Sequence, residues 1–361
     1  MRPMKIAIVA TRRMFMSPAR ATSIDLCIHD FVSFSSVKHT TRIFAMPVEE
    51  PFKGLDIEFV EPACGHRAHA NKVADAIAAW RADCVVVHQH LPTAGRIAAR
   101  LKPLPVLYHT HNFEKPPRGL FHRLWRERLY RRLAGIIFVS DNCRDDFRRH
   151  WAGVDRPLHV VHNALDFATW HPAEVREKVI FYAGRLAPSK GVREIAGALP
   201  PLLAAHPDWR AEFLFTERDA YPDYRDEVLP RLAALGDRAS VDFDKTHGHV
   251  RERLEHVAIA LTPSLHEPFG RAALEAHAGG AALVTSAADG LAHVSGDAAL
   301  VVPKGDAAAL QAAIGRYLDD AALLADYARR GRARAESLFD IRRSAATLDA
   351  IYAETVAATG R

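Results

Sequence analysis

Short apolar runs alternate with helical patterns along almost the whole of this chain. Runs such as CVVVH at 84–88, GIIFVS at 135–140 and VIFYAG at 179–184 are apolar on both faces, as parallel strands are when helices cover both sides of the sheet. The predicted strands form two series: Lys5–Ala10, Thr41–Ala45, Ile57–Val60, Cys84–His88, Val106–His109, Ile136–Val139 and His159–His162, then Val179–Ala183, Ala211–Phe215, Ser240–Phe243, Ala258–Thr262, Ala282–Thr285 and Leu300–Val302. Two such series predict an α/β fold with two doubly wound parallel sheets.

The alternation breaks between Phe167 and Glu177, where the chain reads TWHPAEVRE from residue 169. We therefore expect a first Rossmann-like domain at 1–170 and a second at 171–340. A last helical stretch, Ile341–Ala357, follows the second sheet within a C-terminal segment at 341–361. A chain of 361 residues is long enough for two domains of average size.

The four cysteines are scattered and form no CxxC pair. This argues against a zinc ribbon or a disulfide framework and is typical of a reducing cytoplasm. The apolar run near the start is too short for a signal peptide, and no stretch approaches the roughly 20 residues of a membrane span. The sequence thus predicts a cytoplasmic protein that is not integral to a membrane.

The net charge of +5 is unevenly distributed. Residues 1–172 hold 25 Lys and Arg against 16 Asp and Glu, a net of +9, and the remainder of the chain has a net of −4. A basic half is compatible with nucleic acid, an anionic membrane surface, an acidic acceptor, or a solvated face that has no partner.

The segment RGLFHRLWRERLYRRL at 118–133 contributes much of this charge, with six arginines against Glu127 alone. Apolar residues recur in it at helical spacing: Leu120, Phe121, Leu124, Trp125, Leu129 and Leu133. The usual behaviour of amphipathic helices favours a buried apolar stripe with solvated arginines. The alternative is an interfacial helix that rests on anionic lipid headgroups, peripheral to the inner face of the membrane. Aromatic or glycine-rich support for nucleic acid binding is missing, so we expect no nucleic acid partner.

The segment GRLAPSKG at 184–191 follows a predicted strand. Gly184 permits a turn, and Arg185 and Lys190 come just before a predicted helix that opens near Gly191. Two cations beside a helix N-terminus can hold a diphosphate, because guanidinium, ammonium and free backbone N–H groups all donate to it. Taken alone, the segment fits a solvated surface loop equally well.

The segment TPSLHEPFGRAALEA at 262–276 carries Glu267 and Glu275 eight residues apart. Pro268 and Gly270 mark a helix entry. If the segment were helical throughout, the two carboxylates would be separated by roughly 12 Å, too far to act as one acid/base pair. They could grip hydroxyl groups at opposite ends of an extended ligand whose phosphates lie on the helix N-terminus, as a nucleotide-sugar would. A purely structural pair of glutamates is the alternative.

The two motifs together, GRLxxxKG and then PSxxEPFGxxxLEAxAxG, resemble the family-4 glycosyltransferases of the GT-B fold. The E-x7-E spacing, the order of domains and the closing helix agree with that family, most closely over residues 178–340. The resemblance implies two Rossmann-like domains that face a cleft, with the helix at 341–357 packing back on the first. It implies a retaining hexosyltransferase that uses a nucleotide diphosphate sugar (a UDP- or GDP-sugar) and neither metal nor other cofactor. The acceptor would be a saccharide or a lipid-linked molecule, in cell-envelope polysaccharide or lipopolysaccharide synthesis.

The resemblance also implies roles for individual residues. Arg185 and Lys190 would hold the donor diphosphate and stabilise the charge that forms on it as the sugar leaves. Glu267 would bind the hydroxyl groups of the donor sugar, and Glu275 those of the ribose. The backbone at Phe269 and Gly270 would face the sugar and the phosphate.

In the first domain, His111 of HTHN matches the family's histidine beside the transferred sugar, and His109 is its rival. Ser17 and Arg20, in the loop after the first strand, are candidates for the acceptor side. Asn163 and Asp166 resemble the family's N-G-x-D turn.

Four departures from the family pattern leave the nucleobase and the acceptor open. The loop ATRRMFMSPARATS at 10–23 contains no glycine, although the family usually has a pair there, and only Ser17, Ala19 and Ala21 are small enough to permit close approach. Ala164, Glu217 with Thr216, and His293 stand where the family has two glycines and a glutamate.

Other chemistries have weaker support in the sequence. His88, His90, His109 and His111 suggest zinc, but neither cysteine nor carboxylate with ligand spacing accompanies them, so we expect no metal site. The absence of GxSxG and GxGxxG argues against a serine hydrolase and a dehydrogenase. The remaining rivals are a nucleotide-sugar epimerase or hydrolase on the same fold, and a catalytically silent partner subunit. The intact basic and acidic residues of the two motifs argue against the silent subunit.

Overall fold

The computed structural model describes residues 3–11 and 14–360. They form two compact units: unit 1 is Met1–Ala164 with Ile341–Arg361, and unit 2 is Leu165–Asp340. Each unit has its own parallel sheet flanked by helices, which confirms the predicted pair of Rossmann-like domains. Every predicted strand is present, with ends shifted by at most two residues.

Unit 1 contains a seven-stranded parallel sheet in the order β3-β2-β1-β4-β5-β6-β7. Its strands are β1 (Ile6–Ala10), β2 (Thr41–Ala45), β3 (Ile57–Phe59), β4 (Cys84–His88), β5 (Val106–Thr110), β6 (Gly135–Phe138) and β7 (Leu158–Val160). Its helices are α1 (Ser23–Phe34), α2 (Gly65–Trp80), α3 (Leu91–Arg100), α4 (Leu120–Tyr130), α5 (Asp141–His150) and α13 (Ile341–Ala357). The order of the strands reverses between β1 and β4, and ligands of such sheets bind beyond the C-terminal strand ends at that point.

Helix α13 packs on α1 within unit 1, although it comes after the whole of unit 2 in the chain. The Asp349 carboxylate accepts hydrogen bonds from the Ser35 hydroxyl at 2.6 Å and from the backbone N–H of Ser36 at 2.7 Å. The Arg342 guanidinium lies 4.9 Å from the centre of the Phe34 ring. These contacts tie the C-terminal segment to the first helix of the chain.

Unit 2 contains a six-stranded parallel sheet in the order β10-β9-β8-β11-β12-β13. Its strands are β8 (Glu177–Arg185), β9 (Arg210–Thr216), β10 (Ala239–Phe243), β11 (Val257–Thr262), β12 (Ala282–Ser286) and β13 (Leu300–Val302). Its helices are α6 (Val192–Ala205), α7 (Pro222–Ala233), α8 (His247–His256), α9 (Arg271–Ala278), α10 (Asp289–Ser295), α11 (Ala307–Asp319) and α12 (Ala321–Leu338). Here the strand order reverses between β8 and β11.

The boundary between the units lies between residues 164 and 165, six residues before the sequence placed it. The segment that follows packs on the end of α12: the backbone N–H of Leu165 donates to the Phe339 carbonyl at 3.0 Å, and Arg332 donates to the Phe167 carbonyl at 3.2 Å. Hydrophobic alternation carries no signal for such an irregular segment. Among the helices of the described residues, none combines the length and hydropathy needed to cross a bilayer.

Candidate active site

Two loops meet at the point where the strand order of unit 2 reverses. One follows β8 and ends in a 3₁₀ turn, Pro188–Lys190; the other follows β11. The Leu265 N–H donates to the Ser189 carbonyl at 2.8 Å. Gly191 has a φ of +72°, and a Cβ there would lie 2.1 Å from the Pro263 carbonyl oxygen, so only glycine allows this approach. The close packing brings both sequence motifs to one edge of the sheet.

Lys190 and Glu267 are in direct contact across these two loops. The Lys190 Nζ donates to the Glu267 Oε2 at 2.7 Å, and each side chain is about one-fifth exposed, at 20% and 17%. The Glu267 carbonyl also accepts from the N–H of Gly290 at 3.0 Å, at the start of α10. The carboxylate and the backbone of Glu267 are therefore both held in place.

Arg185 is the last residue of β8 and remains half-exposed. Its Nη1 lies 3.6 Å from the Glu217 Oε2, a long ion pair between two accessible side chains, which solvent screens strongly. Glu217 has a φ of +57°. This is the left-handed backbone that favours glycine, and the family pattern has a glycine at this turn.

Helix α9 begins at Arg271, immediately after Gly270, whose φ is +103°. A Cβ on Gly270 would lie 2.8 Å from the Leu291 Cδ2, so the turn requires glycine. The preceding residue, Phe269, is buried, and its ring meets Phe339 edge-on at 5.6 Å. The segment from Glu267 to Glu275 is thus only partly helical, and the separation of roughly 12 Å expected for a continuous helix does not apply.

Glu275 is buried rather than exposed, because two basic side chains cover it. Its Oε1 accepts from the Arg271 Nε at 2.7 Å and from the His247 Nε2 at 2.9 Å. Burial opposes ionisation, but the charges of and hydrogen bonds from His247 and Arg271 outweigh it and lower the pKa of Glu275 to about 2. The carboxylate is therefore ionised at neutral pH. His247 was not a candidate from the sequence, since it lies at the start of α8, 28 residues before its partner.

Three histidines of unit 1 stack at the ends of β4 and β5. His88 ends β4 and pairs in register with His109 on β5, and His111 lies in the following loop. The His88 Nδ1 and the His111 Nε2 are 2.9 Å apart, a hydrogen bond. All three side chains are buried. Burial, and secondarily the neighbouring histidines, lower the pKa values of His88 and His109 well below the ordinary value.

These three histidines are the group within the described residues that could reach one metal ion, since their ligand atoms lie within 4.8 Å of one another. However, His111 is stacked on both His109 and His88, with interplanar angles of 18° and 25°, and His88 and His109 are tilted by 37°. A metal ion lies in the plane of each imidazole that binds it, and stacked planes do not converge on one point. The geometry thus fits stacked rings, two of them joined by a hydrogen bond, better than a metal centre. His90 lies apart from the stack, bonded to Thr93 at 2.8 Å.

The loop after β1 is filled by methionines. Met14 and Met16 are buried, and the Met16 carbonyl accepts from the Phe52 N–H at 2.9 Å. Ser17 is buried as well, and the Arg20 guanidinium lies 4.0 Å from the centre of the Phe15 ring. Arg12 and Arg13 fall outside the described residues. Large side chains thus take up space where the family pattern has glycines.

The expectation of a buried stripe on 118–133 is wrong for its first half. Leu120, Phe121, Leu124 and Trp125 are exposed, and Phe121 is 88% exposed. Leu129 and Leu133 are buried. Helical spacing reveals an apolar face but not whether another element covers it, and only the second half of this one is covered.

The arginines of this segment differ from one another in burial. Arg126 is largely buried, where it is paired with the Glu114 carboxylate and donates to the Tyr130 hydroxyl at 2.8 Å. It belongs to the internal packing of unit 1. Arg118 and Arg128 are exposed.

Comparison with known protein families shows the family to which the chain belongs. A family profile described as "Glycosyl transferases group 1" matches residues 177–320, and one described as "Glycosyltransferase Family 4" matches residues 51–169. Together they cover more than half of the chain. The chain belongs to glycosyltransferase family 4. This confirms the resemblance carried by the two motifs, and the protein is a glycosyltransferase.

Several relatives of this glycosyltransferase are known. A glycogen synthase of Mycobacterium tuberculosis is 29% identical over 76% of this chain and 69% of its own length. The MMP alpha-(1->4)-mannosyltransferase of Mycolicibacterium hassiacum is 28% identical over 87% and 80%. The phosphatidyl-myo-inositol mannosyltransferase of Mycolicibacterium smegmatis is 28% identical over 77% and 73%.

Solved structures share the fold of the glycosyltransferase at lower identity. Sucrose-phosphate synthase from Thermosynechococcus elongatus superposes with a TM-score of 0.79 at 18% identity, over 98% of this chain and all of that one. Anabaena HepE in complex with UDP-glucose superposes with a TM-score of 0.78 at 18% identity, with the same coverage. Both agree with the predicted GT-B class.

Proposed function

We propose that this glycosyltransferase moves a hexose from a UDP- or GDP-sugar to a saccharide or lipid-linked acceptor, with retention of anomeric configuration and without a metal. The observation that carries the proposal is the contact between Lys190 and Glu267 at the strand-order reversal of unit 2. A phosphate-binding cation and a sugar-binding carboxylate are neighbours there, as the phosphate and the sugar are in the donor.

The donor would lie along the edge formed by the two loops and α9. Arg185, Lys190 and the backbone at Phe269 and Gly270 hold the diphosphate, and the helix N-terminus adds its partial positive charge. Glu267 binds the hydroxyl groups of the sugar. Both contacts of Glu275 fall on Oε1, so we assign its Oε2 to the ribose hydroxyls.

Catalysis in this scheme is electrostatic. Negative charge develops on the diphosphate as the bond to the sugar breaks, and fixed positive groups aimed at it lower the barrier. Arg185 and Lys190 supply that charge, so neither a metal nor another cofactor is required. The structure of HepE with UDP-glucose supports a nucleotide-sugar donor on this fold.

Unit 1 would supply the acceptor side. His111, in the loop after β5 and hydrogen-bonded to His88 at the end of β4, is the group we assign to the reacting sugar, with His109 stacked against it. Ser17 and Arg20 are the candidates for acceptor contacts from the loop after β1.

The exposed apolar face of α4 supports an acceptor in or on a membrane. Phe121 and Trp125 project from the surface beside exposed arginines, the composition of a helix that rests on anionic lipid. A relative is named for a phosphatidyl-myo-inositol acceptor. We therefore place the enzyme in the cytoplasm, peripherally on the inner membrane face, in cell-envelope polysaccharide or lipopolysaccharide synthesis.

The experiment is an acceptor-dependence assay. Release of nucleoside diphosphate is measured with UDP-, GDP- and ADP-sugars, each with and without a cell-envelope lipid extract, for the wild type and for Lys190→Met. A transferase releases the diphosphate only when the extract is present. Release without acceptor indicates a hydrolase, conversion of the donor without release an epimerase, and silence with every donor a partner subunit.

A further inference from the structure

The turn after β4 has an unusual backbone. Gln89 and His90, two consecutive residues other than glycine, have φ values of +52° and +60°. Side chains with a Cβ disfavour this left-handed region, and such residues persist where surrounding contacts over-determine them, often at functional sites. One of the contacts that hold this turn, the one made by the Gln89 side chain, reaches the backbone of His111.

Gln89 holds the backbone at two of the stacked histidines, His109 and His111. Its N–H donates to the His109 carbonyl at 2.8 Å, and its side-chain Oε1 accepts from the His111 N–H at 2.9 Å. The Thr11 hydroxyl donates to the His88 carbonyl at 3.2 Å, which joins the end of β1 to the same turn. The left-handed turn thus aims the Gln89 side chain at the loop after β5.

The His111 ring is held at an edge and on a face. His88 contacts its Nε2 at 2.9 Å, and the His109 ring lies against it with centroids 4.6 Å apart. Neither ring nitrogen of His109 has a hydrogen-bond partner among the described residues, so this ring contributes packing. Because Nε2 of His111 is engaged with His88, the tautomer of each ring depends on that of the other.

We propose that His88 is a positioning residue for the transfer reaction: its hydrogen bond to Nε2 of His111, with the bond from the His111 N–H to Gln89, fixes the orientation and tautomer of His111. The role assigned to His111 rests on the proposed function. The hydrogen bond, rather than the bulk of the His88 ring, is what carries the effect.

The test compares two substitutions at one buried position. His88→Phe keeps an aromatic ring in the stack and removes the hydrogen bond, whereas His88→Asn keeps a polar atom near the place of Nδ1. We expect His88→Phe to lower kcat by roughly 10- to 100-fold, the cost of a misplaced group, with the KM for the donor within about twofold and an unchanged melting temperature. His88→Asn should recover most of kcat. The matched control is His90→Asn, because His90 lies outside the stack and asparagine tolerates a left-handed backbone. The kcat of this variant should equal that of the wild type.

A second readout is independent of turnover. Nitrogen-15 NMR of the imidazoles should show one fixed tautomer for His111 in the wild type and in His88→Asn, and a mixture in His88→Phe. That result separates the two claims: if the wild type has no transferase activity, the proposed function fails while the positioning of His111 is still measured. Equal kcat in His88→Phe and the wild type would overturn the proposal, as would equal loss in His88→Phe and His88→Asn. Stoichiometric zinc in the purified protein, lost in every His88 variant, would overturn it too.

Discussion

The Nζ of Lys190 lies 2.7 Å from the Oε2 of Glu267, although 77 residues separate them in the chain. One belongs to the loop after β8 and the other to the loop after β11, the two strands between which the order of the sheet reverses. The ammonium offsets the charge of the carboxylate. This allows a carboxylate to stand next to the site where we place an anionic diphosphate.

Removal of either proposed phosphate-binding cation should slow the reaction. We expect Lys190→Ala and Arg185→Ala each to reduce turnover by about 10²- to 10³-fold, the usual effect of losing one electrostatic group that stabilises developing charge. Steady-state kinetics with circular dichroism as the folding control is the measurement. Rates like those of the wild type in both variants would refute the donor-site assignment.

Substitutions of Glu267 and of Glu275 should weaken the binding of different ligands. Glu275→Ala should weaken binding of the bare nucleoside diphosphate, because Glu275 is assigned to the ribose, whereas Glu267→Ala should affect mainly the complete nucleotide-sugar. Titration calorimetry with both ligands distinguishes them. The reverse pattern would mean that the donor lies along α9 in the opposite direction.

Glu275 should make the stability of unit 2 depend on acid pH. Its pKa of about 2 in the folded protein lies below the ordinary 4.5, so its ionised form stabilises the fold above pH 4.5, and this contribution is lost as the pH falls from 4.5 to 2. The difference between the wild type and Glu275→Gln in free energy of unfolding should therefore shrink by about 3 kcal/mol over that range.

Urea unfolding at several pH values measures this difference. Burial raises the pKa of Asp25 in unit 1 to about 6, but Asp25 titrates in both proteins and its effect cancels. A difference that stays constant between pH 5 and pH 2 would show that Arg271 and His247 do not hold the carboxylate in its ionised form.

Much of the fold and part of the site could be predicted from the sequence. Strands such as CVVVH at 84–88 could be recognised because they are apolar on both faces, as expected for a sheet that is buried on both sides. The two motifs of unit 2 could be placed because strand ends and glycine turns mark loops. His247 could not be found this way, since its contact with Glu275 depends on how α8 packs near α9 rather than on any local spacing.

The same limit explains the interpretation that was wrong. The helical period of 118–133 shows that apolar residues share a face, but the covering element is specified elsewhere in the chain, and Phe121 is left exposed. The helix entry expected at Pro268 and Gly270 is a local signal, and it is confirmed: Gly270 has a φ of +103° and the helix begins at Arg271.

The exposed face of α4 should bind anionic membranes. Phe121, Trp125 and Arg128 recur at helical spacing, so they share a face, and each arginine near an anionic surface contributes about 1 kcal/mol. We expect sedimentation with liposomes that contain anionic lipid, weaker at high salt because the attraction is screened over about 8 Å at physiological ionic strength. Phe121→Ser with Trp125→Ser, and separately Arg128→Ser, should reduce binding. The matched control is Arg148→Ser on α5. If the wild type does not bind anionic liposomes at low salt, a soluble acceptor is favoured instead.

The most direct measurement of the central claim is the anomeric configuration of the product. The reaction is run with an α-linked nucleotide-sugar and its acceptor in buffer that contains EDTA, and the product is followed by NMR for the wild type and Lys190→Met. We predict an α-linked product from the wild type at an undiminished rate, and little product from the variant. A β-linked product, a requirement for added metal, or equal rates from both proteins would contradict a retaining, metal-independent transfer at the site of Lys190 and Glu267.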